Sequence, residues 1–378
     1  MSLSSADLGT VRVGSFQGPS RLRINVDIPL LVTLLLVTAL GFVVLYSALS
    51  EDLSALLRQA VRFGVAFGAF FVIAQIPPNY MRMWTPWAYL FVLFLLLLVM
   101  VNGEVGGGAQ RWLSLGFVSI QPSELMKICV PMAVAWFLHE RSLPPRFSHL
   151  LVLSIIILVP ALMIERQPDL GTALLVVTSG GLTILLAGLS FRIVALLGGI
   201  AVCAAPLHWM FAMSDYQKRR VLTFLDPESD PLGAGYNAIQ AKIAIGSGGL
   251  FGKGWFNGTQ SHLEFLPERS TDFVFAVMAE EFGLLGLLLL LTLYLVLVGR
   301  GLFIAAEAQD TFTRLLAGSL SLTFFVYVFV NTAMVSGLLP VVGVPLPLVS
   351  AGGTSMVTLM AGFGILAAIG GHRKLLAP

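Results

Sequence analysis

Residues 266–299 read LPERSTDFVFAVMAEEFGLLGLLLLLTLYLVLVG. The second half is an apolar run that, with its flanks, is long enough to cross a bilayer as a helix. Three carboxylates stand at its head or inside it: Asp272, Glu280 and Glu281. Acids are expensive in lipid and are kept there for a partner group, a cavity or a pathway. On a helix, Ser270 or Thr271 caps the start and leaves Asp272 in the first turn, where the positive helix end favours an ionised carboxylate. Glu280 and Glu281 then lie about 12 to 13 Å deeper, at about 1.5 Å per residue. At about 100° per residue they point roughly 80° and 180° away from Asp272, so the three cannot form one cluster. Asp272 acts alone or with groups from other helices. Two readings stay open for it: a helix cap, or a proton acceptor at the mouth of a cavity.

The rest of the chain has the same character. Of 378 residues, 57% are hydrophobic and 11% charged, which excludes an ordinary soluble domain. A net charge of +2, with no basic tract apart from the apolar runs, argues against nucleic-acid binding. Cys129 and Cys203 each sit inside an apolar run and read as small buried hydrophobes rather than a disulfide or metal pair. The first apolar run, Ile28 to Leu49, lacks a small-residue cleavage site and is expected to stay as a signal anchor.

Apolar runs and their polar ends predict an all-α polytopic membrane protein with ten transmembrane helices. They fall near 28–49, 57–76, 84–101, 123–140, 149–164, 170–189, 193–213, 272–298, 315–338 and 350–369. Short linkers predict one bundle over 28–371, between a cytoplasmic N-terminal segment (1–27) and a cytoplasmic tail (372–378). Placing the N-terminus inside puts Arg12, Arg21, Arg23, Arg82, Arg141, Arg146, Arg192, Arg300, Arg314, Arg373 and Lys374 in the cytoplasm. Arg58, Arg62, Arg111, Lys127 and Arg166 then lie outside, a bias of 11 to 5 when the long 214–271 segment is left out. An even number of spans returns the C-terminus inside. The two long connections, 102–122 and the large loop 214–271 between helices 7 and 8, face outward.

Polar groups gather in those outer connections. QPSE (121–124) and QPDL (167–170) each precede an apolar run, with Pro in the first turn and an acid beside the helix end. This is a repeated helix start or a pair of site elements. Lys218, Arg219 and Arg220 stand together, suited to clamping phosphate or to anchoring at lipid head groups. GSGGLFGKG (246–254) is glycine-rich enough to approach an anion but is not a Walker loop, since Lys253 is followed by Gly254. Glu124 and Lys127 share a helix face, either as a simple pair or with Lys127 directed to a cavity below the surface.

Five stretches together carry a resemblance: GAQRWLSLGFVSIQPSELMKI (108–128), ERQPDLGTALL (165–175), KRRVLTFLDPESDPLGAGYNAIQAKIAIGSGGLFGKG (218–254), FLPERSTDFVFAVMAEEFGLLG (265–286) and MVSGLLPVVGVPLPLVSAGG (334–353). In this order, and over nearly the whole chain, they closely resemble the SEDS family (shape, elongation, division, sporulation), nearest to its rod-shape-determining branch. The resemblance implies a peptidoglycan glycosyltransferase of the bacterial cytoplasmic (inner) membrane, serving elongation and rod shape. Such an enzyme is inverting and polymerises lipid II, an undecaprenyl-pyrophosphate-linked disaccharide-pentapeptide, on the outer face. The family's essential aspartate falls on Asp272, which the resemblance makes the general base. Glu268, and Glu124 with Lys127, match family positions tied to function, and Ser350 and Gly352 lie in the LVSAGG motif. Ala351 departs from the aromatic that many relatives carry there. Arg111, Arg219 and Arg220 are assigned to pyrophosphate contact on charge grounds. The implied partner is a class B penicillin-binding protein, a single-pass transpeptidase. No cofactor follows, although the outer-loop acids leave a divalent cation, Mg or Mn, open. Two other readings are a flippase for the lipid-linked precursor and an O-antigen-ligase-like transferase. A flippase would concentrate its charged site near the midplane.

Overall fold

The computed structural model describes residues 26–50, 52–106, 109–114, 116, 119–211, 213, 215–229, 234–262, 266 and 268–372. Arg12, Arg21, Arg23, Arg373 and Lys374, used above for orientation, lie outside the described residues, as does nearly all of the segments 1–27 and 372–378.

The helices are α1 (Ile28–Ala48), α2 (Leu53–Ala74), α3 (Pro78–Asn102), α4 (Pro122–Leu138), α5 (Phe147–Glu165), α6 (Leu170–Leu186), α7 (Phe191–Phe211), α8 (Asp215–Leu225), α9 (Ala234–Gly248), α10 (Thr259–His262), α11 (Val274–Ala306), α12 (Thr311–Val335) and α13 (Thr354–Gly371). Eight of them are long and apolar enough to cross a membrane: α1, α2, α3, α5, α7, α11, α12 and α13. Helices α4 and α6 occupy two further predicted positions and are 17 residues each. The starts are written locally. Asp27, Asp52, Asp169 and Asp310 each accept a main-chain N–H of the first turn, so four helices open on an aspartate cap. Pro78 and Pro122 occupy first turns, where the missing N–H costs nothing. Helix α3 accordingly begins six residues before the predicted span.

Helices α12 and α13 are the most enclosed of the eight long apolar helices. Helix α11 packs on α12, α1 and α9, while α2 lies against α13 and α4 sits among α3, α6 and α12. Large apolar side chains on the outer faces of the helices point outward, among them Val61, Phe91, Ile155 and Leu288, as a bilayer permits. Helix α7 has no buried side chain among those described. A small antiparallel sheet, β1 (Glu104–Gly106), β2 (Ala109–Ser114) and β3 (Ser119–Ile120), caps the end where α3 finishes and α4 begins. No periodicity in 104–120 announced it, because its strands are two to six residues long.

Helix α11 is broken at Gly283, which takes φ 63° and ψ −162°. The segment before the break, Val274–Glu281, is wholly buried. The break is repaired from outside the helix. Lys253 N donates to Glu280 O at 2.9 Å and Gly254 N to Glu281 O at 3.0 Å. In return Leu284 N donates to Gly249 O and Leu285 N to Leu250 O. Two main-chain donors of the glycine stretch 246–254, Lys253 N and Gly254 N, are therefore spent on α11, and Gly252 N is spent on Gly248 O. A Cβ on Gly252 (φ +79°) would lie 2.1 Å from Glu281 O, so the close approach requires glycine there.

Candidate active site

The polar end of the bundle holds a cavity of about 400 Å³. Its walls include Arg111 and Trp112 from β2, Gln121 and Glu124 from the start of α4, and Asp169 and Thr172 from the start of α6. Glu268, Thr271 and Asp272 from the turn before α11 complete it with Tyr327, Gly343–Pro345 and Gly352–Ser355. Four of the predicted site residues thus line one cavity: Arg111, Glu124, Glu268 and Asp272.

Asp272 is not in the first helical turn that the sequence predicts for it: α11 begins two residues later, at Val274, and Asp272 lies in the turn that ends at Phe273. Thr271 N and Phe273 N both donate to Glu268 O, which closes that turn. The Asp272 carboxylate is partly buried and makes no hydrogen bond among the described residues. Burial, and then the negative charge of Glu268, pushes its pKa up from 3.8 to about 6, while Arg220 opposes the rise. Arg220 is close: a methyl built on Gly343 would lie 3.6 Å from Asp272 Oδ2 and 3.7 Å from Arg220 Nη1. Arg220 also lines two smaller cavities behind this wall, one of them shared with Arg111. Arg219, its neighbour on α8, is exposed.

The main chain of the Asp272 turn is pinned from two directions. Ala351 N donates to Ser270 O at 2.7 Å, the Ser350 hydroxyl to Thr271 O at 2.5 Å, and the Asn331 amide to Asp272 O at 3.1 Å. Ser350 Oγ also accepts from Leu346 N at 2.8 Å, so its hydroxyl is committed to main chain on both sides.

Lys127 lies below the cavity floor. It is 6% exposed and holds Glu124 Oε2 at 2.7 Å and the Tyr327 hydroxyl at 3.1 Å. Tyr327 is within 3.2 Å of Ser355 Oγ, so Glu124, Lys127, Tyr327 and Ser355 form one polar chain. The Glu124–Lys127 spacing is an intrahelical pair, of which Glu124 lines the cavity and Lys127 does not. The QPSE and QPDL starts also meet, with Gln121 Nε2 donating to Asp169 Oδ2 at 3.0 Å. Arg111 braces them through Pro168 O at 2.5 Å, with Asp169 Oδ2 at 3.8 Å.

Glu280 and Glu281 go elsewhere. Glu280, fully buried, accepts from Lys253 Nζ at 2.7 Å, Thr259 Oγ1 at 3.0 Å and Gln260 N at 3.1 Å. Glu281 accepts from the Ser47 hydroxyl of α1. Among the described residues no three His, Cys, Asp or Glu side chains gather to hold a metal ion.

The sequence reading passed over Tyr327 and Asn331 and noted Asp169 only as part of an echo. The available signal was polarity within apolar spans: both Asn331 and Tyr327 stand in α12 at 2% exposure or less.

The comparisons with known proteins bear on this geometry. The FtsW/RodA/SpoVE family of cell cycle proteins matches over residues 28–375. The chain belongs to that family. This is the SEDS family expected from the five motifs, and it makes the chain a multi-pass protein of the bacterial inner membrane. A relative named peptidoglycan glycosyltransferase MrdB, from Escherichia coli, is 50% identical over 355 residues, covering 94% of this chain and 96% of that protein. Among FtsW/RodA/SpoVE structures, RodA of Thermus thermophilus matches at 29% identity with a TM-score of 0.71, covering 94% of this chain and 100% of that one. A chain of a peptidoglycan synthase complex, described as coordinating polymerization and crosslinking, matches at 31% identity with a TM-score of 0.81, covering 92% and 99%.

Proposed function

We propose that this chain is a peptidoglycan glycosyltransferase that polymerises lipid II at the outer face of the inner membrane during cell elongation. The single observation that carries the reading is the Asp272 carboxylate, which opens into a cavity beside Arg220 and is left without a hydrogen-bond partner among the described residues. The 50% identity to a protein named as a peptidoglycan glycosyltransferase supports the same chemistry.

In this reading Asp272 is the general base. It takes the proton of the acceptor GlcNAc 4-hydroxyl as that oxygen attacks C1 of the donor MurNAc, and undecaprenyl pyrophosphate leaves from the opposite face with inversion. Burial serves the role. A carboxyl titrating near 6 is mostly ionised at neutral pH, yet it is a stronger base than an ordinary carboxylate. Arg111 and Arg220 stabilise the pyrophosphate as it leaves, by charge-assisted hydrogen bonds in a site partly shielded from water. Glu268 shares the wall with Asp272, Glu124 and Lys127 shape the floor, and Ser350 acts through main chain. The exposed Arg219 is assigned to pyrophosphate as it approaches. Ten spans with both termini inside orient this end of the bundle outward, toward a class B transpeptidase partner. The cavity opens where α4, α6 and α13 begin, not at mid-bundle, which favours polymerisation over flipping.

The test is polymerisation of labelled lipid II by the purified protein with its transpeptidase partner. Asp272→Asn keeps the shape and removes the base, so glycan chains should disappear while partner binding persists. Wild-type rates in that variant would remove the general-base role.

A further inference from the structure

Asn331 lies in the last third of α12, fully buried among apolar neighbours. A carboxamide inside a membrane bundle is retained only when its donors are used. Both are used here, on carbonyls from two different walls of the cavity. Asn331 Nδ2 donates to Asp272 O at 3.1 Å and to Val344 O at 2.7 Å. The first carbonyl belongs to the residue assigned above as the base. The second follows Gly343, whose Cα faces both the Asp272 carboxylate and the Arg220 guanidinium.

Two further carbonyls of the turn, Thr271 O and Ser270 O, are held by Ser350 and Ala351, from a single segment. That segment alone would let the turn and the 340–348 loop pivot about it. Asn331 supplies the crossing strut from a helix, tying turn, loop and α12 at one point. The carbonyl it takes from Asp272 is also unclaimed by α11, whose first N–H groups go to Phe273 O.

We propose that Asn331 is the positioning residue for the Asp272 carboxylate, fixing its distance from Gly343 and Arg220 across the cavity. It touches no substrate. It acts by preventing a shift of the turn of the ångström size to which proton transfer and attack are sensitive. This rests on the reading of Asp272 as the base.

The experiment uses the full-length protein with its transpeptidase partner and lipid II, comparing wild type, Asn331→Leu, Asn331→Ser and Asp272→Asn. In Asn331→Leu, kcat should fall at least tenfold, with KM for lipid II within twofold. The acidic limb of the pH profile should move down, because a carboxylate released toward water loses its burial. Asn331→Ser keeps one donor and should recover part of kcat. It also serves if the leucine variant fails to fold. Wild-type kcat and pH limb in a folded Asn331 variant would overturn the proposal. So would equal losses in both variants with the limb unmoved, which is the mark of a merely structural residue. If Asp272→Asn polymerises lipid II, the base reading fails and takes this one with it. If Asp272→Asn is inactive while Asn331→Leu is normal, only the positioning role is lost.

Discussion

Glu280 accepts from an ammonium, a hydroxyl and a main-chain amide and has no exposed surface. Asp272, eight residues earlier on the same segment, opens onto a cavity and has no hydrogen bond to its carboxylate among the described residues. The same chemical group is thus used in two opposite ways. Glu280 is saturated, and its charge is spent on holding Lys253, Thr259 and Gln260 against α11. Asp272 is unspent, and the donors around it reach its main chain and leave its side chain available. A carboxylate that is fully satisfied in the folded state has nothing left to give a substrate; one held only by its backbone does.

The contrast is broken most directly at Asp272. Asp272→Asn should lower the polymerisation rate by about 100-fold or more, the scale of a lost general base, without lowering the melting temperature. The next largest effect should be on stability, at the floor of the cavity. Lys127→Ala strands the Glu124 carboxylate and should cost about 3 kcal/mol by thermal or denaturant unfolding. Glu124→Gln combined with Lys127→Met should recover most of that loss without restoring activity. Glu280→Ala should cost roughly 2 kcal/mol, less because Lys253 is partly exposed, and should leave kcat per folded molecule nearly intact. A loss of kcat larger than the loss of folded protein in Glu280→Ala would erase the distinction between the two acids.

The finest test is the pH profile. A group titrating near 6 in its unprotonated role makes kcat/KM fall about tenfold per pH unit below 6 and level off above it. Two variants should move that limb in opposite directions. Glu268→Gln removes the negative neighbour and shifts it down, whereas Arg220→Ala removes the positive one and shifts it up. Stability carries the reverse cost. Because ionisation is harder in the folded protein, Asp272 makes folding less favourable as pH rises from about 4 to 6. Urea unfolding of wild type and Asp272→Asn across that range measures it.

The eight helices long and apolar enough to cross a membrane were legible because each is a long apolar run and needs no tertiary information. The aspartate caps at 27, 169 and 310 could be read the same way, since their hydrogen bonds reach only three residues along the chain. Asp272 was legible as an anomaly, an acid at the head of such a run. Its exact setting was not, because three of the bonds that hold its turn come from residues 331, 350 and 351. The break at Gly283 was equally hidden. Apolar periodicity runs straight through it, and its cause is a main-chain exchange with residues 249–254, thirty residues away in sequence. The two pyrophosphate candidates Arg219 and Arg220 look identical in the chain and differ only in which way α8 turns them.

That exchange between the 249–254 glycines and α11 makes them a single inheritable unit. Hybrid proteins that graft the outer loop from a relative while keeping the native α11, or the reverse, would join halves whose backbones no longer interlock. Recombination points placed before residue 246 and after residue 286 should give folded hybrids where points between them do not.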